Sequence, residues 1–353
     1  NGHCYSKDTI GDQYGLINLA KSFLVRENEH YQKLHISGDP GVGEIVKKIK
    51  PALGSLNNLS YAKRVLEYSA QGKGSLGISG TEWDQNKFLI AFANGVLDTG
   101  SGEFRPGRPE DFIRVAVPHL WLGWDTVAPE FTKFLASVLP EDPADPSKGG
   151  AVDVISFLQR VIGHTMGGTV KEHILVVLTG AGQNGKGTLL EIIGYALGPL
   201  AGPVQSEMLM EQKFSRSSSA PSADLMSLRG KRLVWASESN DGVRIDTGKV
   251  KKLTGGDSIT ARPPYGKHDV VFAPTHQLLL LTNHVPEVDP DDNAMWYRLR
   301  LIPFPLSFVE TPSASHERKK DPGLKASLED EVSGILAWIL RGYMEYKAKG
   351  LAA

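Results

Sequence analysis

The residues best suited to chemistry lie in one run, Gly180-Ala181-Gly182-Gln183-Asn184-Gly185-Lys186-Gly187-Thr188. Its glycines let backbone N–H groups curl around an anion without Cβ clashes, and Lys186 stands among them as a mobile point charge. The run follows the apolar stretch Ile174-Leu175-Val176-Val177-Leu178 and opens onto Leu189-Leu190-Glu191-Ile192-Ile193, which has helical character and ends at Gly198-Pro199. Strand, glycine-rich turn and helix form the context of a phosphate-binding loop, and the helix adds its unpaired N-terminal donors to the same anion. ATP with Mg²⁺ is the expected ligand. Gly180, Gly182, Gln183, Asn184, Gly185 and Gly187 would surround the phosphates, with Lys186 on the β- and γ-phosphates. The plain alternative is a glycine-rich turn with a solvated lysine, which leaves the strand and helix in register on either side unexplained. Directly after the lysine, where a hydroxyl is usual, stands Gly187; the hydroxyl comes one place later, at Thr188. Either Thr188 reaches the metal or the ion keeps a water there.

Downstream, Arg229-Gly230-Lys231-Arg232 precedes the apolar Leu233-Val234-Trp235-Ala236 and then Ser237-Glu238. A carboxylate at the C-terminal end of a parallel strand faces the ligand, so Glu238 is the candidate for holding Mg²⁺ through water or orienting an attacking water. Enzymes of this type commonly place two acids in sequence there; here the first position is Ser237. Leu278-Leu279-Leu280-Leu281 ends in Thr282-Asn283, where an amide could hydrogen-bond the γ-phosphate or could merely close an Asx turn. Arg298 and Arg300 alternate in Trp296-Tyr297-Arg298-Leu299-Arg300-Leu301, which reads as a strand with both arginines on one side. An arginine finger acting on a neighbour's nucleotide is the functional reading, Arg298 first and Arg300 second, and it requires a head-to-tail ring.

These side chains need a scaffold. The short strands are apolar on both faces, as in a buried parallel sheet with helices on either side. A chain of 353 residues allows about two domains. The expected fold is α/β: a P-loop ATPase core over 147–310, preceded by a smaller mixed α+β domain over 1–146 and followed by a helical segment over 311–353. Helical spacing is expected from Tyr14 to Arg26 and from Tyr61 to Tyr68, a strand from Lys87 to Asp98, and an exposed Pro/Asp/Gly-rich connection from Pro140 to Gly150. The single cysteine, Cys4, and the absence of a signal-like start or a long apolar run fit a cytoplasmic protein with no membrane segment. A net charge of -1 excludes a generally basic nucleic-acid coat, so any contact with DNA must come from local basic positions.

Together the loop, Glu238, Leu253-Thr254-Gly255-Gly256-Asp257, Leu281-Thr282-Asn283 and Trp296 to Phe304 resemble, in order, the helicase module of poxvirus- and phage-type primase–helicases, in superfamily 3 of the AAA+ ATPases. Asn94-Gly95-Val96-Leu97-Asp98, Ala128-Pro129-Glu130-Phe131 and Gly334-Ile335-Leu336-Ala337-Trp338 resemble the flanking parts of that family. The resemblance covers roughly residues 80–350. It implies a homo-hexameric ring that hydrolyses ATP while translocating on single-stranded or forked DNA, in a phage, prophage or mobile element. It also implies a DNA-contacting hairpin from Ile259-Thr260-Ala261 to Val270-Val271-Phe272, with Arg262, Lys267 and His268 at its tip. Lys267 and His268 suit backbone phosphate and sugar; a solvated turn is the alternative. No primase active site is visible, and the chain reads as a fragment of a longer primase–helicase whose primase is attached or a partner. Two other functions fit the same loop: an ATP-dependent initiator or loader without processive unwinding, and a small-molecule phosphotransferase, which Gly185-Lys186-Gly187-Thr188 would suit.

Overall fold

A computed structural model describes residues 14–36, 42–56, 58, 60–61, 64, 83–211, 222–238, 244–264 and 268–351. Packing divides the chain into one unit over 6–85 and another over 86–353. In the first, helices α1 (Tyr14–Ile36) and α2 (Val42–Leu56) are described. The expected helix from Tyr61 to Tyr68 lies largely outside the described residues.

The second unit opens with a small antiparallel sheet, β1 (Leu89–Phe92), β2 (Gly95–Asp98) and β3 (Phe104–Arg105). The strand expected over 87–98 is thus a hairpin, turning at Ala93-Asn94. Helices α3 (Pro129–Val138) and α4 (Val152–His164) lead to strand β4 (Leu175–Thr179) and helix α5 (Lys186–Leu197). Strand β5 (Ala201–Val204), the short helix α6 (Ala223–Met226), β6 (Leu233–Glu238) and α7 (Thr247–Thr254) follow. Next come β7 (Ile259–Ala261), β8 (Val270–Phe272), β9 (Gln277–Thr282), the short helix α8 (Asn293–Trp296) and β10 (Leu299–Pro303). The chain closes with β11 (Ser307–Val309), β12 (Glu317–Lys319), α9 (Leu324–Asp330) and α10 (Val332–Lys349).

Five strands form one parallel sheet in the order β10-β4-β9-β6-β5. Its interior explains the uninterrupted apolar runs. Val176, Leu178, Leu233, Leu279 and Leu281 enter one buried cluster, while Leu175, Val177, Val234, Leu278 and Leu280 enter another on the opposite face. Each strand thus feeds two cores through its alternation of side chains.

The first of these clusters also takes in Phe92, Leu97, Trp121, Phe131 and Leu135, and Leu336, Ile339 and Leu340 of α10. The described parts of 86–146 and 311–351 therefore pack with the sheet, and the packing does not divide at 146 or 310 as expected from the sequence. The connection near Pro140 is an exposed excursion within one body. Two glycines set the closest helix crossing: a Cβ on Gly163 of α4 would collide with the backbone of Gly342-Tyr343, and one on Gly342 with the Gln159 carbonyl.

Candidate active site

Strand β4 delivers the loop. From Thr179 the backbone passes through positive φ at Gly180 (150°), Gly182 (97°), Gln183 (48°) and Gly185 (88°) before α5 begins. Glycine adopts such angles without penalty; Gln183 is the exception and marks local strain. Gly185 caps α5 without any side-chain hydrogen bond, and no acid stands in the first turn, so the helix keeps N–H donors for an external anion. A Cβ on Gly187 would meet nothing within 4 Å, so this part of the loop is open above.

Lys186 is 5% exposed, and its ammonium donates to the Gly180 carbonyl at 2.5 Å. Burial pushes its pKa below the usual lysine value. The Asn184 amide nitrogen is buried without a hydrogen-bond partner. A buried cation on a neutral carbonyl and an unsatisfied donor in one loop both favour an anion, since each is costly to leave uncompensated. Thr188 is half-buried and lines the cleft beside the loop.

Register aligns the other candidates. Thr179 pairs with Thr282 on β9, and Thr282 with Glu238 on β6, so three neighbouring strands end in one row. With neighbouring strands about 4.8 Å apart, the backbone of Glu238 lies roughly 10 Å from that of Thr179. Asn283, exposed, follows directly. The turn there is closed by Thr282, whose hydroxyl donates to the His284 carbonyl at 2.8 Å and accepts from the His284 N–H at 3.2 Å. The loop residues, Glu238 and Asn283 are thus brought to one edge of the sheet. Thr188, which lines the cleft, supplies a hydroxyl oxygen of the kind a mostly hydrated Mg²⁺ accepts. Among the described residues, no group of three or more His, Cys, Asp or Glu could hold a metal alone.

The arginines lie elsewhere. Leu299 pairs with Leu175, the first residue of β4, and the Leu175 N–H donates to the Arg298 carbonyl at 2.8 Å. Arg298 therefore precedes β10 rather than alternating with Arg300 inside it. It sits at the opposite end of the sheet from the loop, roughly 13 Å along β4. Its Nη1 donates to the Ala294 carbonyl at 2.7 Å, while its Nε is buried without a partner. The exposed Arg300 donates to the carbonyls of Tyr297 (3.0 Å) and Leu299 (2.8 Å). Around them Trp296, Tyr297 and Leu301 are 46%, 79% and 48% exposed.

The hairpin forms with the expected ends: β7 and β8 are antiparallel, with Thr260 opposite Val271. Lys267 lies outside the described residues, and His268 is exposed. Arg262 Nε meets Asp269 Oδ1 at 2.7 Å; this hydrogen bond raises the Arg262 pKa and lowers that of Asp269. A DNA phosphate would have to compete with that carboxylate for Arg262. Lys251 pairs with Asp292 at 2.7 Å and Lys249 donates to the Met210 carbonyl at 2.8 Å, so both have structural partners.

One feature has no sequence motif. Beside the loop opens a cleft of about 840 Å³ with three walls. The loop and α5 form one. The second is α3, through Glu130, Lys133, Phe134 and Ser137; the third is the segment from Phe308 through Lys319 to Lys325. The Glu331 carboxylate holds α3 by accepting from the N–H groups of Glu130 (3.0 Å) and Phe131 (2.9 Å). The Phe308 N–H donates to the Gln183 carbonyl at 2.7 Å, tying the third wall to the loop.

Comparison with known proteins finds matches to both parts of the chain. Residues 15–140 match the family described as "D5 N terminal like", and residues 178–298 match a "Family of unknown function (DUF5906)". A protein of Acanthamoeba polyphaga mimivirus, named as a candidate helicase, is 29% identical over 97% of this chain and 36% of its own. One of Invertebrate iridescent virus 6, also named as a candidate helicase, is 28% identical over 81% of this chain and 30% of its own. A protein of African swine fever virus named as a candidate primase is 24% identical over 68% of this chain and 24% of its own. This chain thus spans roughly a quarter to a third of the length of these relatives. Among solved structures, the apo C-terminal region of NrS-1 aligns with a TM-score of 0.44 at 11% identity, covering 60% of this chain and 44% of that one. Among the described residues no helix is long and apolar enough to cross a membrane. Both parts of the chain are matched in order, with similar proteins in several large DNA viruses, and these matches support a D5-type primase–helicase family.

Proposed function

We propose that this chain is the ATP-hydrolysing motor module of a replication primase–helicase that moves on single-stranded or forked DNA. The observation that carries the reading is the division of catalytic groups between the two ends of one sheet. Loop, Glu238 and Asn283 share the carboxyl end, while Arg298 stands at the other end, beside Leu175.

ATP lies with its β- and γ-phosphates in the loop, where Lys186, the Asn184 amide and the first N–H groups of α5 meet its charge. Thr188 and Glu238 would hold Mg²⁺, which would supply neutralisation of phosphate charge. Glu238 orients the attacking water, and Asn283 hydrogen-bonds that water or the γ-phosphate. Arg298 cannot reach its own loop, so it acts on the nucleotide of the next copy, stabilising charge that develops at transfer. Head-to-tail contacts of this kind close into a ring, hexameric by resemblance to the family. The hairpin tips, with Lys267 and His268, face DNA in the channel. Copies arranged around an axis offset the near-neutral charge of each chain.

The test is steady-state ATP hydrolysis with and without single-stranded DNA, with Lys186→Ala as the blank. Stimulation by DNA that disappears in Lys267→Ala is expected. Lys186-dependent turnover indifferent to DNA would instead favour an initiator or loader that uses the same site. Turnover that needs an acceptor nucleotide would favour a phosphotransferase.

A further inference from the structure

The third wall of the cleft carries cations that neither the sequence motifs nor the proposed mechanism uses. Four lysines line the space beside the loop: Lys133, Lys319, Lys320 and Lys325. Two are committed. Lys133 meets Glu130 at 2.6 Å, and Lys325 meets Glu191 at 3.5 Å. Lys319 and Lys320 are exposed and have no ion pair among the described residues. They are held toward the cleft by their backbone: β12 pairs Lys319 with Val309, and the Lys320 N–H donates to the Val309 carbonyl at 2.9 Å. The same strand pair carries Phe308, whose N–H is fixed to the loop at Gln183. Phe308, Pro322 and Leu324 give this wall apolar surface next to its charges.

An anionic phosphate chain joined to a flat apolar base matches that surface. On this wall Lys319 and Lys320 outnumber the one carboxylate, Asp321, leaving net positive charge that favours an anion between the walls, and an apolar ledge offers a base something to stack on. The geometry points to the segment from Phe308 to Lys325 as a nucleotide-contacting wall. Within the same subunit, Lys319 and Lys320 contact the phosphate–ribose side of the bound nucleoside triphosphate, and Phe308, Pro322 and Leu324 receive the base. This rests on the reading of the loop as a nucleotide site and adds that its own C-terminal segment completes that site.

Lysine footprinting of the full chain tests it, using an amine-acetylating reagent, mass spectrometry and a non-hydrolysable ATP analogue. Lys319 and Lys320 should label readily in the free protein and be protected several-fold when the analogue binds, with exposed Lys349 as the unaffected reference. Protection should vanish in Lys186→Ala. The double variant Lys319→Ala/Lys320→Ala should raise the Kd of a fluorescent ATP analogue roughly tenfold without moving the melting temperature, since both side chains are exposed. Analogue binding that depends on Lys186, but with unchanged labelling at Lys319 and Lys320 or a double-variant Kd within twofold of the parent, overturns this assignment and leaves the loop reading intact. Absence of any Lys186-dependent binding overturns the loop reading and this assignment with it.

Discussion

Gly185→Ala isolates what the loop requires of the backbone. Gly185 holds φ at 88°, where an L side chain costs about 1–2 kcal/mol. An added Cβ would also lie 2.5 Å from Val138 Cγ1 and 3.4 Å from Phe134 Cε2, both on α3. Both partners are buried, at 1% and 4% exposure, so neither swings aside freely. Overpacking of this kind adds about 1–3 kcal/mol. Together these predict a loss of roughly 2–5 kcal/mol, and for a unit of this size a melting temperature lower by on the order of 10 °C. The same collision pushes α3 from the N-terminus of α5, so nucleotide-induced stabilisation should also be lost. Gly187→Ala is the matched control: its Cβ meets nothing within 4 Å and its φ is ordinary, so the free protein should melt as the parent does. Thermal melts of both variants, with and without an ATP analogue, separate the effects. A Gly185→Ala protein that melts within 2 °C of the parent and still gains stability from the analogue would refute the reasoning.

Gly342→Ala should destabilise more than most single changes, because its Cβ runs into the Gln159 carbonyl, backbone that cannot rotate away; a denaturant titration reads the loss. His276 is 2% exposed, neither ring nitrogen has a partner, and burial pushes its pKa down to about 4. The neutral ring is therefore the folded form. Stability is intact above pH 6.5 and falls as pH drops from 6.5 through about 4, by up to roughly 3 kcal/mol, and His276→Leu should flatten that slope in melts taken across the range. Neither Lys186→Ala nor Arg298→Ala should turn over ATP alone, but mixing the two should restore part of the activity. Each mixed interface can pair an intact loop with an intact arginine, and an active Arg298→Ala protein would contradict an action between copies.

The loop was legible in sequence because its demands are local: glycines at Gly180, Gly182 and Gly185, a lysine, and a strand and helix on either side. The hairpin came from the family resemblance rather than from local signal, and its two short apolar runs around a proline-rich turn do pair. Strand β5 was not. Its sequence, Ala-Gly-Pro-Val, argues against a strand, yet it lies at the sheet edge, where proline is tolerated because one side of the strand has no ladder to complete. Alternation suggested that Arg298 and Arg300 share one strand; the short helix α8 ahead of Arg298 displaces it to the start of β10, which spacing alone does not reveal. The clamp from Glu331 onto the first N–H groups of α3 spans about 200 residues and has no local signal. Lys319 and Lys320 belong to no sequence motif. Only the fold sets them across from the loop.

Strand direction has the largest consequence for function. Because β4 and β10 are parallel and in register from Leu175 and Leu299, the loop and Arg298 must leave the sheet at opposite ends. No rearrangement of side chains brings them together within one chain, since the separation of roughly 13 Å along β4 is fixed by backbone hydrogen bonds. If both serve one reaction, the monomer holds two complementary half-sites facing away from each other. That arrangement also accounts for the apolar side chains beside Arg298. Trp296, Tyr297 and Leu301 would be a poor surface for a free monomer but a suitable one to bury against the next copy. The same logic separates two kinds of contact with the nucleotide. On the readings proposed above, lysines of the C-terminal wall would meet the nucleotide from within the chain, whereas Arg298 would act from a neighbouring copy. Binding would then be a property of the single chain and turnover a property of the assembly.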